Sequence, residues 1–133
     1  MKKIAILQPN YIPWKGVFDL INRVDTFLFY DDVQYTTKDW RNRNKIKTPN
    51  GDKWLSVPVI SKSKRYQLIY EAMIDQTKYW QKEHFKKITS NYQKAKYFDQ
   101  YKHILDIIYI ENQWRKISDL DIFATKLIAS EIG

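Results

Sequence analysis

Apolar positions along the chain follow two different rhythms, one after the other. Residues 3–8 (Lys-Ile-Ala-Ile-Leu-Gln) form a near-continuous apolar run. Such a run suits a strand buried on both faces, as in a parallel sheet. Pro9 and Pro13 then enforce a stiff, non-helical loop, Pro9–Lys15, because proline fixes φ and withholds an N–H. From Gly16, apolar residues recur at Val17, Leu20, Ile21 and Val24, which is helical spacing over two turns. Thr26-Phe27-Leu28-Phe29-Tyr30 reads as a second buried strand. Strand, helix and strand in about 28 residues is the size of a βαβ unit, whose strands run parallel.

Residues 33–42 are polar and aromatic without a clear period. Residues 43–48 and 53–60 flank Pro49-Asn50-Gly51-Asp52, and Asn-Gly between two strand-like runs predicts a hairpin. Residues 61–66 read as a basic loop and 67–74 as a further strand. The rhythm then becomes helical. Trp80, His84, Phe85, Ile88 and Tyr92 share one face, as do Tyr97, Tyr101, Ile104, Leu105 and Ile108. A third set is Leu120, Phe123, Ala124, Leu127 and Ile128, with Ser118 as N-cap and Gly133 as C-cap signal. The expected fold is α/β: a small parallel-type sheet opening with a βαβ unit, a β-hairpin near 43–60, and a helical C-terminal half. One domain, 1–133, is expected, with an α/β part over 1–75 and a helical part over 76–133.

Composition narrows the chemistry. The 133 residues contain no cysteine, which removes disulfides, thiolate catalysis and Cys-based metal sites. No apolar run approaches the roughly 18 residues of a membrane helix. The N-terminal apolar stretch stops at Gln8-Pro9, short of a signal-peptide core, so the expected compartment is the cytoplasm. His84 and His103 are isolated, and His84 falls on the apolar face of its helix, the place of a satisfied core histidine. No metal-binding His spacing, Gly-rich phosphate loop or Gly-x-Ser-x-Gly elbow is present. The formal charge is +8, and residues 36–65 hold nine basic and two acidic residues, a net +7. A concentrated patch of this kind attracts an anion; the same pattern also serves a solvated strand with charged edge protection.

Three stretches carry candidate chemistry. The first is the loop Gln8–Gly16, between a strand end and a helix start, where α/β sheets bind ligands and a helix N-terminus offers free N–H groups to an anion. Its Tyr11 and Trp14 could stack on a base or sugar, or cap the core. The second is Asp31-Asp32 at the end of the second strand. One of these carboxylates could accept a proton or hold Mg²⁺; turn formation or capping is the alternative. The third is Trp40-Arg41-Asn42-Arg43-Asn44. In an extended chain Arg41 and Arg43 share one face, and Trp40, Asn42 and Asn44 the other. Guanidinium groups grip phosphate with paired hydrogen bonds.

Taken together, Ile4-Ala5-Ile6-Leu7-Gln8-Pro9, Pro13-x-x-Gly16-x-Phe18-x-Leu20-Ile21, Tyr30-Asp31-Asp32-Val33-Gln34-Tyr35, Trp40-x-Asn42-Arg43-Asn44 and Trp54-x-x-Val57-Pro58 resemble the WbqC-like protein family. The resemblance implies a role in bacterial O-antigen or other surface-polysaccharide pathways. It implies a transferase placing an acyl or aminoacyl group on a nucleotide-linked amino sugar. It also implies a segment beyond Gly133 that completes the family domain. The expected substrate contacts are Gln8, Pro9, Tyr11, Pro13, Gly16, Gln34, Trp40, Arg41, Asn42, Arg43 and Asn44. Asp31 and Asp32 are the expected catalytic carboxylates, with Mg²⁺ accompanying the nucleotide-linked substrate and no dedicated metal site. Two other classes stay open. One is a single-stranded nucleic-acid module using the basic segment with Trp40, Trp54 and Tyr66. The other is a non-catalytic protein that associates with a partner or with itself through an exposed apolar patch.

Overall fold

A computed structural model describes residues 1–133. Its elements are β1 (Ile4–Leu7), α1 (Lys15–Arg23), β2 (Thr26–Phe29), β3 (Arg43–Thr48), β4 (Gly51–Ser56), α2 (Trp80–Tyr92), α3 (Phe98–Leu105) and α4 (Ile117–Ile132). A 3-10 turn spans Ile69–Glu71, and a π turn, Asp106–Ile110, continues α3. The chain is a mixed α/β fold with the helices concentrated in its second half. β1 and β2 pair in parallel with Ala5 opposite Phe27 and Leu7 opposite Phe29, and α1 crosses between them. β3 and β4 form an antiparallel hairpin.

Four expectations need correction, three of them in the strand-bearing half. The opening strands are not buried on both faces: Ile4 and Ile6 are 61% and 59% exposed, and Leu28 and Tyr30 are also open. The sheet has only two strands, so no further strand or helical layer covers that side. Residues 67–74 do not form a strand. They make the 3-10 turn and isolated bridges, Gln34 with Leu68 and Val59 with Ile74. The hairpin turn is centred on Pro49 and Asn50, with Gly51 already paired to Thr48. Gly51 takes φ +92° there, a left-handed conformation that glycine adopts without steric cost.

The core draws on both sequence halves. Tyr11, Tyr35, Leu55, Val57, Ile69, Ala72 and Ile74 pack with Trp80, Ile108, Tyr109, Trp114, Ile117, Leu120 and Ala124 in one buried cluster. Backbone bonds sew the halves together: Ile74 N–H donates to the Arg115 carbonyl at 2.7 Å, and Ile117 N–H to that of Ala72 at 3.2 Å. Ser118 lies inside the first turn of α4 and does not cap it; Lys116 occupies the cap position. The Ser118 hydroxyl donates to Asp31 Oδ2 at 2.7 Å, which ties the end of β2 to the helical half. No helix is long and apolar enough to cross a membrane.

Candidate functional site

The Gln8–Gly16 loop is held from beneath by Tyr11, whose side chain is fully buried. Its hydroxyl meets His84 Nδ1 at 2.8 Å and also the hydroxyl of Tyr109. His84 Nε2 lies 3.0 Å from the carbonyl of Ser56. A carbonyl can only accept, so Nε2 carries the proton and Nδ1 is the acceptor. Tyr11 therefore donates to His84, and Tyr109 donates to Tyr11. Burial disfavours the imidazolium and brings His84 down to about 4, so the ring is neutral near pH 7. Burial also raises both tyrosines well above the usual phenol range. Tyr11 anchors the loop with its side chain sealed from solvent.

From above, the loop is zipped to residues 40–44. Tyr11 N–H donates to the Trp40 carbonyl at 2.9 Å. Asn44 Nδ2 donates to the carbonyls of Tyr11 at 3.2 Å and Ile12 at 2.5 Å. Arg41 Nη1 donates to the Pro9 carbonyl at 3.4 Å and to Asn10 Oδ1. These bonds hold Ile12 at φ +43°, a left-handed conformation that a β-branched residue before proline strongly resists. Strain of this kind costs about 1–3 kcal/mol and collects at ligand-binding segments.

The alternation expected for residues 40–44 fails because residues 37–42 are turns and not extended chain. Arg41 and Arg43 part company as a result. Arg41 turns inward to the loop, and its Nε is buried without a partner. Arg43 lies 4.0 Å above the Trp54 ring, with Lys45 Nζ at 4.8 Å from the same ring. Asn42 Nδ2 donates to the Val57 carbonyl at 3.0 Å and so braces β4.

Between the loop and this stretch opens a cleft of about 180 Å³, lined by Asn10, Pro13, Trp14, Trp40 and Asn44. Trp14 and Trp40 are 70% and 50% exposed, large apolar surfaces left to solvent. Trp40 packs on Trp54 with centroids 5.7 Å apart, so the cations over Trp54 stand one indole away from the cleft. A Cβ at Gly16 would overlap the Trp14 indole where that ring now lies. A larger hollow of about 660 Å³ lies between α1 and the end of α4, where Lys15, Phe18, Ile21 and Ile132 line it. It faces none of the expected contacts except the neighbourhood of Gly16.

Of the expected contacts, Pro13, Trp40 and Asn44 line this cleft; Gly16 lies under the Trp14 indole, the Pro9 carbonyl meets Arg41, and Arg43 sits on Trp54. Gln8 follows β1 directly, where its neighbour Leu7 accepts the Tyr30 N–H at 2.8 Å. Asp31 is engaged by Ser118, and Asp32 is exposed beside it. Gln34 is farther along, its Nε2 donating to the Arg65 carbonyl at 3.0 Å. No cluster of three His, Cys, Asp or Glu side chains is placed to hold a metal.

Sequence reasoning did not single out Asn10 or Asp121. Asn10 had no signal beyond its place in the loop. Asp121 did: it stands one turn from Ala124 and Thr125 on a buried helix face. It is fully buried, and neither its oxygens nor Thr125 Oγ1 has a hydrogen-bond partner. Burial holds its carboxyl well above the usual range, and Arg41 works in the opposite direction.

Rv1507c, an uncharacterized protein of Mycobacterium tuberculosis (strain ATCC 25618 / H37Rv), is 47% identical over all 133 residues. The chain spans 57% of that relative's length. No solved structure matches. Residues 8–133 match the WbqC-like protein family, which covers the proline loop, the 40–44 stretch and every helix, and the chain belongs to that family.

Proposed function

We propose that the chain binds a nucleotide-linked amino sugar at the cleft between the proline loop and Trp40–Asn44. In this reading it serves an acyl or aminoacyl transfer in bacterial surface-polysaccharide biosynthesis. The observation that carries the binding reading is the cleft itself. Two exposed indoles flank it, two side-chain amides line it, and Arg43 with Lys45 stands behind Trp40 on the Trp54 ring. Aromatic faces suit a flat ring or a sugar, and adjacent guanidinium and ammonium groups suit a diphosphate. The transfer chemistry rests on the family resemblance. An amine that attacks an acyl carbonyl forms the new amide as the bond to the acyl donor's leaving group breaks and the leaving group departs with that electron pair, and the proton the amine loses can be accepted by a carboxylate. Asp32 is the freer candidate, since Asp31 already accepts from Ser118.

Thermal unfolding with UDP-, dTDP- and GDP-linked amino sugars, free nucleotides and a mixed-sequence RNA tests the reading. A ligand at 100 times its Kd stabilises by about 2.7 kcal/mol. A nucleotide sugar is expected to give this shift, and Trp40→Ala to abolish it while the protein stays folded. A shift with RNA alone would transfer the site to single-stranded nucleic acid, which the cation-stacked Trp54 also suits. Absence of any nucleotide-sugar shift overturns the binding reading.

A further inference from the structure

One face of the β1–β2 sheet is an apolar surface with a positive end and a negative end. Parallel pairing sets Ile4 beside Thr26 and Ile6 beside Leu28, so these side chains share a face. Tyr30 extends it, since its N–H donates to the Leu7 carbonyl. Ile4 and Ile6 are more than half exposed, and Leu28 and Tyr30 nearly half. Ala5, Leu7, Phe27 and Phe29 alternate onto the opposite face, which is better buried. The pairing begins before Ile4, at the Lys3 carbonyl, which accepts from the Asp25 and Thr26 N–H groups. Alternation from there sets Lys2, which is exposed, on the face of Ile4 and Ile6. The neighbouring carboxylate of Asp25 is taken by the Lys3 N–H at 2.7 Å. At the far end, two residues beyond Tyr30, stands Asp32, also exposed.

Parallel sheets are covered on both faces in folded proteins, and contiguous exposed apolar side chains mark an interaction surface. An anionic membrane is a poor occupant, because membrane-facing apolar surfaces are bordered by cations and this one is acidic at one end. The face is instead complementary to itself. Turned over about an axis that crosses the strands, a second copy lays its apolar centre on that of the first. Its acidic end then comes to the first copy's basic end. We propose that the chain pairs with a second copy of itself through this face, as a two-fold dimer whose stacked strands run in opposite directions. Aligned sheets stack about 10 Å apart. Two-fold contacts are reciprocal, so Lys2 approaches the partner's Asp32 on both sides of the axis. The two lie one strand apart laterally, about 4.8 Å, which a lysine side chain spans. The pairing is independent of the cleft reading. An ammonium beside Asp32 favours its charged form, the form in which a carboxylate accepts a proton.

The test is sedimentation equilibrium of the chain. Its mass is expected to rise from monomer to dimer between about 1 and about 200 μM, the weak range that a small interface supports. Ile6→Lys puts a charge at the centre of the face and is expected to keep the chain monomeric. Ile6 already projects to solvent, so the melting temperature of the variant monomer is expected to match that of the parent monomer. Lys2→Glu and Asp32→Lys each set like charges against one another, and each is expected to weaken the dimer about tenfold. The double reversal, Lys2→Glu with Asp32→Lys, is expected to restore the parent affinity. A parent chain that is monomeric throughout overturns the proposal. So does an Ile6→Lys dimer as tight as the parent, or a double reversal no tighter than the single ones. A monomer that instead binds the part of Rv1507c outside the shared 57% assigns the face to that segment and overturns the dimer as well.

Discussion

Asp121 sits where a carboxylate is hardest to keep charged. It is sealed from water, neither oxygen is hydrogen-bonded, and the nearby opposite charge is Arg41. Its folded-state affinity for a proton is raised, so its contribution is most favourable below the unfolded carboxylate range and is lost as pH rises. Asp121→Asn removes the charge and keeps the shape. It is expected to raise unfolding stability by about 1–2 kcal/mol at pH 7 and by less at pH 4, measured by urea denaturation. A destabilised variant at pH 7 would mean that Asp121 is a working ion pair. At this scale the sequence was only partly legible. His84 could be placed on a buried helix face because periodicity reveals burial. The full burial of Tyr11 could not be read, since its partners His84 and Tyr109 are 73 and 98 residues away. The left-handed Ile12 was equally hidden, because isoleucine before proline signals extended chain.

At the level of elements, the start of α1 couples helix and cleft. Gly16 lies in the first turn of that helix, beneath the Trp14 indole. An alanine there suits the helix better by about 0.5–1 kcal/mol, yet its Cβ would take the space of the ring. Gly16→Ala is therefore expected to leave the melting temperature unchanged or higher while weakening ligand binding, with an altered Trp14 fluorescence. Loss of folding without loss of affinity in the folded fraction would contradict this. β1, α1 and β2 were legible because their apolar runs are short and sharply bounded by Pro9, Pro13 and Asp25. Helices α2 and α4 were legible from their buried faces. The stretch 67–74 misled because its apolar residues are buried by a 3-10 turn and by α4, not by strand neighbours. The turns over 37–42 have no Gly or Pro to announce them, so the separate tasks of Arg41 and Arg43 could not be foreseen.

For the whole molecule, the decisive contacts join the two halves, and none has a local sequence signature. Asp31 reaches Ser118 across 87 residues. The hydrogen-bond chain through Tyr11 links the proline loop, α2, β4 and the π turn. Its acid sensitivity follows from His84. The folded-state value is depressed from 6.5 to about 4, so the stability it contributes is complete above pH 6.5 and is lost as pH falls toward 4. The loss is on the order of 3 kcal/mol. His103 acts in the opposite sense, raised by Glu131, but both are at the surface and solvent screens them. Urea midpoints between pH 7 and 4.5 are expected to fall for the parent chain and to fall much less for His84→Gln. An equal fall in both would assign the acid sensitivity elsewhere. The chain through Tyr11 also has one polarity, from Tyr109 through Tyr11 and His84 to the Ser56 carbonyl. Each phenolic proton has one acceptor and no exposed route to water. Its exchange with solvent is therefore a clock that reports how often the packing around Tyr11, Tyr109 and His84 opens.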